Sequence, residues 1–352
     1  MTTETATPLV ERDRLRFFSL LIAVTLLPYI LFPLATHVVP DHPNVHLLML
    51  TVLFLGSAGH IGSSFFFYGD QQVRAFMFPG QWARYLVVPA LASGVMALIL
   101  FIDSDPMRSY ALVGFWMWQV HHFTRQNHGI LAFASRADGV PVDPKEKLAI
   151  TLTDIAAILA TIAFVTPYRN TALDVYGWQL HTTGLAVFAC AWIVYLTTRP
   201  LRRFRTTPWR ESLVTALMVF YVPLFIFHDA FSAVYIYLTA HGLQYLIFMY
   251  FVSQVPVATR GFAVARLALL TAFGGGLIML LKRQQLWGDL APTFLGLAYG
   301  ITIWHFLLDA GLWRLSEPFQ RSYMAQRFGF LRAGSRPMHD GREPHGVQAP
   351  AA

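Results

Sequence analysis

Four stretches of the chain set histidines among apolar residues: GSAGHIGSSFFFYGD with His60, FWMWQVHHFTRQNHGILAF with His121, His122 and His128, VYIYLTAHGLQYL with His241, and ITIWHFLLDAGLWR with His305. Neutral imidazole is a good ligand for iron, copper and zinc, and a carboxylate completes many non-haem iron sites. On a helix, His121, Arg125 and His128 fall at i, i+4 and i+7 and share one face. His122 then points about 100° away, beside Gln119 and Gln126. His305 and Asp309 stand at i and i+4, where the carboxylate orients the imidazole or ligates beside it. Tyr237, His241 and Tyr245 share a further face. The expected metal ligands are His60, His121, His122, His128, His241, His305 and Asp309. Arg125, suited to a polar head or an oxygen-derived anion, and Tyr245 are the expected catalytic groups.

Taken alone, a histidine such as His60 reads as a hydrogen-bonding residue between helices, set among small residues that let neighbours approach. The HHFTRQNH cluster resists that explanation. Three imidazoles and a guanidinium in one apolar stretch cost several kcal/mol if left unpaired. His37, His42, His46 and His181 are read as non-ligands, and His339 and His345 lie in a polar tail. His228–Asp229 either joins the site or caps a bent helix.

The elements that must carry these residues are written in the composition. Of 352 residues, 55% are hydrophobic and 13% charged, and mean hydropathy is +0.49. Soluble domains hold about 25% charged residues, so the apolar excess here must face lipid. Ten stretches are long enough to span, at roughly 15–36, 45–68, 85–103, 109–134, 148–166, 174–197, 211–228, 230–254, 262–281 and 290–313. The seventh and eighth are either two full spans or one span and a re-entrant piece, broken near Pro223. With the N-terminus in the cytoplasm, every Lys and Arg falls on the inner side except Arg108, Arg125, Arg169, Lys282 and Arg283. That pattern obeys the positive-inside rule and requires an even number of spans. The expected architecture is an all-α, polytopic transmembrane bundle of about ten helices over 1–330, both termini cytoplasmic, with a polar tail at 331–352. The first apolar run reads as a retained helix, and the expected location is a cell membrane, in bacteria the inner one.

The net charge of +7 is spread between apolar segments, which fits membrane topology and excludes a nucleic-acid face. Cys190, the one cysteine, rules out intrachain disulfides, iron–sulfur clusters and covalently attached haem, and reads as a small core residue.

In this topology the four histidine-bearing spans all run inward. His60, His121, His122, His241 and His305 stand twelve to sixteen residues from the outer end, a spread of about 6 Å along the axis. Imidazoles at one depth are what a shared site within the bilayer requires. One or two iron ions there, beside a pocket lined by the abundant aromatic residues, would act on a lipophilic substrate that stays among membrane lipids. The stretch WHFLLDAGLWR, in a helical bundle with intramembrane histidines on several helices, resembles the Brp/Blh-type membrane oxygenases that cleave β-carotene. The resemblance covers short segments and implies iron held by histidines within the membrane. Two other readings use the same residues: a haem-b redox protein with paired axial histidines, and a proton-coupled transporter, for which Pro223 and Gly274–Gly276 would mark broken helices.

Overall fold

The computed structural model describes residues 8–102, 105–165, 174–197, 207–227, 229–255 and 259–333. Among them every regular element is helical: α1 (Pro8–Pro33), α2 (Pro43–Phe54), α3 (His60–Ser63), α4 (Gln71–Met77), α5 (Val88–Phe101), α6 (Asp105–Asp138), α7 (Pro144–Val165), α8 (Asp174–Thr197), α9 (Pro208–Met218), α10 (Pro223–Ile226), α11 (Ala230–Ser253), α12 (Arg260–Leu281), α13 (Ala291–Leu312), α14 (Pro318–Arg327) and α15 (Phe330–Ala333). Seven helical stretches are long and apolar enough to cross a membrane: Val10–Val38, Pro43–Gly69, Ala83–Phe101, Pro144–Phe164, Gly177–Thr197, Arg260–Leu281 and Gly288–Leu312. The chain is a multi-pass membrane protein.

The difference from ten has physical causes. Helix α6 is long, but His121, His122, Arg125, Gln126, Asn127 and His128 interrupt its apolar character. Helix α11 carries His241 and Gln244 and is wrapped by its neighbours, with Ile236, Tyr237, Ala240, His241 and Gln244 all fully buried. The remaining segment is broken. A turn at 219–222 separates α9 from α10, because Pro223 opens α10 and has no N–H to continue the preceding helix. Backbone groups freed inside a bilayer must find partners within the protein. Here the Tyr29 hydroxyl approaches the carbonyls of Val219 (3.0 Å) and Phe220 (2.5 Å), and His181 Nε2 donates to the Leu224 carbonyl (2.9 Å). Asp229 caps α11 by accepting from Ser232 N–H at 2.6 Å, while His228 lies outside the described residues. Gly274–Gly276 do not break α12, which runs on through them.

Small residues set the closest helix crossings. A Cβ built on Gly242 of α11 would lie 1.9 Å from the Gly56 carbonyl oxygen and 2.5 Å from His60 Nδ1. One on Gly62 would lie 2.6 Å from Gly275 N of α12. Only glycine permits this approach, and it is what brings His60 to α11. A π-helical turn, Leu55–Gly59, stands directly before His60, and a 3-10 turn, Ser64–Gly69, follows Ser63. Such irregular turns re-aim side chains that a straight helix would carry past.

At the end of the bundle where α13 stops, amphipathic α14 folds back. Asp70 caps α4 through Gln72 and Val73 N–H (3.0 and 3.1 Å) and also accepts from Arg327 (2.9 Å) and the Tyr323 hydroxyl (3.2 Å). Burial pushes the Tyr323 phenol above its ordinary range, so it stays a donor. Cys190 is exposed on the outer surface of α8, a correction to its expected core position. In a membrane span, apolar surroundings include lipid.

Gly242→Ala should lower stability by about 1–3 kcal/mol, because the methyl meets backbone and not a movable side chain. Gly276→Ala, with nothing within 4 Å of the added carbon, should be neutral or slightly stabilising. Thermal unfolding in detergent compares the two, and equal melting temperatures would refute the close-contact account.

Candidate metal centre

His60, His122, His241 and His305 meet inside the bundle, each at least nine-tenths buried. Their rings form a closed circuit. The centroid distances are 5.1 Å for His60–His241, 4.9 Å for His60–His305, 5.1 Å for His122–His241 and 5.2 Å for His122–His305. His241 and His305 stand 6.1 Å apart across it. Asp309 Oδ2 lies 3.6 Å from both His122 Nε2 and His305 Nε2. Two ligand groups result, His60–His241–His305 and His122–His305–Asp309, with ligating atoms within 4.8 Å of one another in each. Two ligands on opposite sides of one ion stand about 4 Å apart, since a metal–imidazole bond is about 2.0–2.1 Å. Each group therefore has the span to enclose an ion.

The polar accounting at this cluster is incomplete. Both ring nitrogens of His60 and of His241, with Nε2 of His122 and of His305, are buried and lack a hydrogen-bond partner. The Gly56 and Ser57 carbonyls approach the His60 ring, but neither nitrogen achieves hydrogen-bond geometry. Other buried atoms without partners, such as the Asn127 amide and Gln119 Oε1, are scattered. The imidazoles are gathered at one point.

Neighbouring groups fix the rings. His122 stacks on Phe306 (4.2 Å) and His241 on Phe123 (3.9 Å). Ser64 Oγ lies 2.7 Å from His305 Nδ1 and donates its proton to the Tyr245 hydroxyl at 3.0 Å. With that proton committed, Ser64 accepts from His305 Nδ1–H, and the Nε2 lone pair is left facing the centre. Metal-ligating histidines are typically held in this way. Trp313 donates to Asp309 Oδ1 at 3.3 Å. Behind the rings, Gln126 donates to the His241 carbonyl (3.2 Å) and to Gln244 (2.9 Å), which donates to Thr25 (2.7 Å).

A cavity of about 490 Å³ adjoins the centre between α6 and α13. Its lining includes His121, His122, Asp309 and Tyr245, the aromatic side chains of Phe133, Phe248, Phe306 and Trp313, and Arg314, Ser316 and Met324. His60 and His241 do not reach it.

The structure does not bring His121 and His128 to this centre. His121 is exposed at the adjoining cavity, where its Nδ1 pairs with Asp154 Oδ2 at 3.0 Å, and His128 Nε2 meets Thr151 Oγ1 at 3.3 Å. Helical spacing separated His121 from His122 by about 100°, and the bundle buries the His122 direction. Arg125 lines the cavity without touching the cluster, and Tyr245 reaches it through Ser64. Among the non-ligands, His46 bonds the Pro40 carbonyl and His181 the Leu224 carbonyl. Ser64 was missed by sequence reasoning, because its partner His305 lies far along the chain.

No family model, no curated protein and no solved structure matches the chain.

Ser64→Ala removes the acceptor that holds His305 and should weaken metal retention about 10–100-fold. A chelator titration against wild type reads this, and an unchanged midpoint would mean that Ser64 does not position the ligand.

Proposed function

We propose that the protein is a membrane-embedded, metal-dependent oxidoreductase with a single non-haem iron ion, acting on a lipophilic substrate within the bilayer. The observation that carries the reading is the His122–His305–Asp309 group beside the cavity. Two histidines and one carboxylate with open positions are the donor set of non-haem iron oxygenases. Iron held there supplies redox chemistry at an unactivated carbon of a bound molecule.

A single ion is favoured because the two groups share His305, whose Nδ1 is engaged by Ser64. Its one free nitrogen serves one ion. His122, His305 and Asp309 would hold that ion, with His60 and His241 beside His305 on the side away from the cavity. Phe306 and Trp313 exclude water from the cavity wall, and Tyr245, linked to Ser64, is placed to hold or pass a proton near Asp309. The same packing argues against haem b, since rings about 5 Å apart on all sides leave no slot for a macrocycle.

The proposal includes ten membrane passages with both termini cytoplasmic, counting α6, α11 and the broken α9–α10 segment. Under it, the cavity runs from the bilayer interior toward the cytoplasmic face of a cell membrane. Membrane oxygenases of the Brp/Blh type, resembled around His305 and Asp309, would then be functional analogues.

Elemental analysis of detergent-purified protein should find roughly one iron per chain. His122→Ala and His305→Ala should each lose most of it, while His121→Ala and His37→Ala keep it. Full iron in both of the first two variants would end the proposal.

A further inference from the structure

Of the two arginines that line the cavity, Arg314 donates to the Ala310 carbonyl of its own helix at 2.7 Å, which leaves Arg125 as the guanidinium free to serve the cavity. Arg125 lines it near the middle of α6, about 20 Å short of the helix end at Asp138. It has no hydrogen bond or ion pair among the described residues. The nearby acid, Asp154, is engaged by His121. The two buried arginines of the bundle, by contrast, are matched: Arg210 meets Glu146 in two contacts of 3.2 and 2.9 Å, and Arg327 meets Asp70. Arg125 is exposed beside the cavity, and in the ten-pass arrangement proposed above it stands at membrane depth, where a bare guanidinium is costly and such residues mark substrate paths. Its planar fork fits a carboxylate with two parallel hydrogen bonds.

The rest of the cavity fits the remainder of such a molecule. Beyond Arg125 its walls are Ile130, Phe133, Phe248 and Trp313, and its volume is that of one small ligand or a single acyl chain, not two. We infer that the cavity between α6 and α13 binds a single-chain amphiphile with an anionic carboxylate, the carboxylate on Arg125 and the chain along the aromatic wall. The inference deepens the oxidoreductase reading and rests on it for what happens to the ligand, but not for its binding. Arg125 is one α-helical turn from His122, so the part of the chain presented to the centre lies close to the head and not at the far end.

The test is equilibrium binding to protein in phosphatidylcholine nanodiscs, with empty discs as the blank. A radiolabelled long-chain fatty acid and the alcohol of equal length are the probes. Wild type should bind the acid saturably, at about one per chain and about tenfold tighter than the alcohol. Arg125→Gln should bring the acid to the level of the alcohol, and Arg125→Lys should restore part of the difference. Equal binding of acid and alcohol by wild type, or undiminished acid binding by Arg125→Gln, would overturn the inference. So would competition by two-chain phosphatidic acid as strong as by the fatty acid itself. Iron content measured on the same samples separates the two ideas. Absence of iron with acid-selective binding removes the enzyme reading alone, and iron without acid selectivity removes this one alone.

Discussion

Hydrocarbon offers no hydrogen bonds, so a polar group inside the bundle is answered by the protein or by something the protein holds. Most of the structure can be derived from that constraint. The hydroxyls of Thr25, Ser93, Thr271 and Thr302 each turn back to the carbonyl four residues earlier. Where the α9–α10 segment breaks, Tyr29 and His181 reach the freed carbonyls. Against that background, six imidazole nitrogens gathered without partners are an exception of a particular kind. One ligating nitrogen each from His60, His241 and His305 lies within 4.8 Å of the others, and four positive charges could not share that volume. Neutral nitrogens so grouped are able to hold a metal ion.

The fold reaches this arrangement through helices that are individually irregular. A π turn and a 3-10 turn flank the His60 segment, and glycines on α11 and α12 remove the side chains that would hold that segment away. Rigid crossings at glycine contacts give the four rings fixed relative positions. Stacking on Phe123 and Phe306 then sets their planes. Precision comes from backbone approach and aromatic contact, which survive in a medium where the hydrophobic effect does not drive helices together.

Much of this was legible in the sequence, for reasons that can be stated residue by residue. His60, His122, His241, His305 and Asp309 lie at similar depths in apolar helices, and depth follows from counting residues along a span. Azimuth does not follow as easily. His121 and His122 differ in depth by one residue but one is exposed and the other buried, and only the buried direction of α6 decides between them. Ser64 was hidden because serine is common where helices pack closely, so its type carried no signal without His305 beside it. The break between α9 and α10 was visible at Pro223. Its burial was not, because a hydropathy pattern reports apolar character without saying whether lipid or protein receives it.

The last question is why such a centre would have two unlike sides. His60 and His241 sit against α2, α3 and α12, walled off by the glycine contacts, whereas His122 and Asp309 face the cavity. A site that only holds a metal for stability is closed all round, while one that works on a substrate keeps a position open. The split here follows from the packing. Small residues close the crossing on the His60 side, and bulky Phe306, Trp313 and Phe133 hold α6 and α13 apart on the other. Tight contact on one side and enforced separation on the other are a single design, since neither alone would leave four buried imidazoles both fixed in place and accessible from one direction.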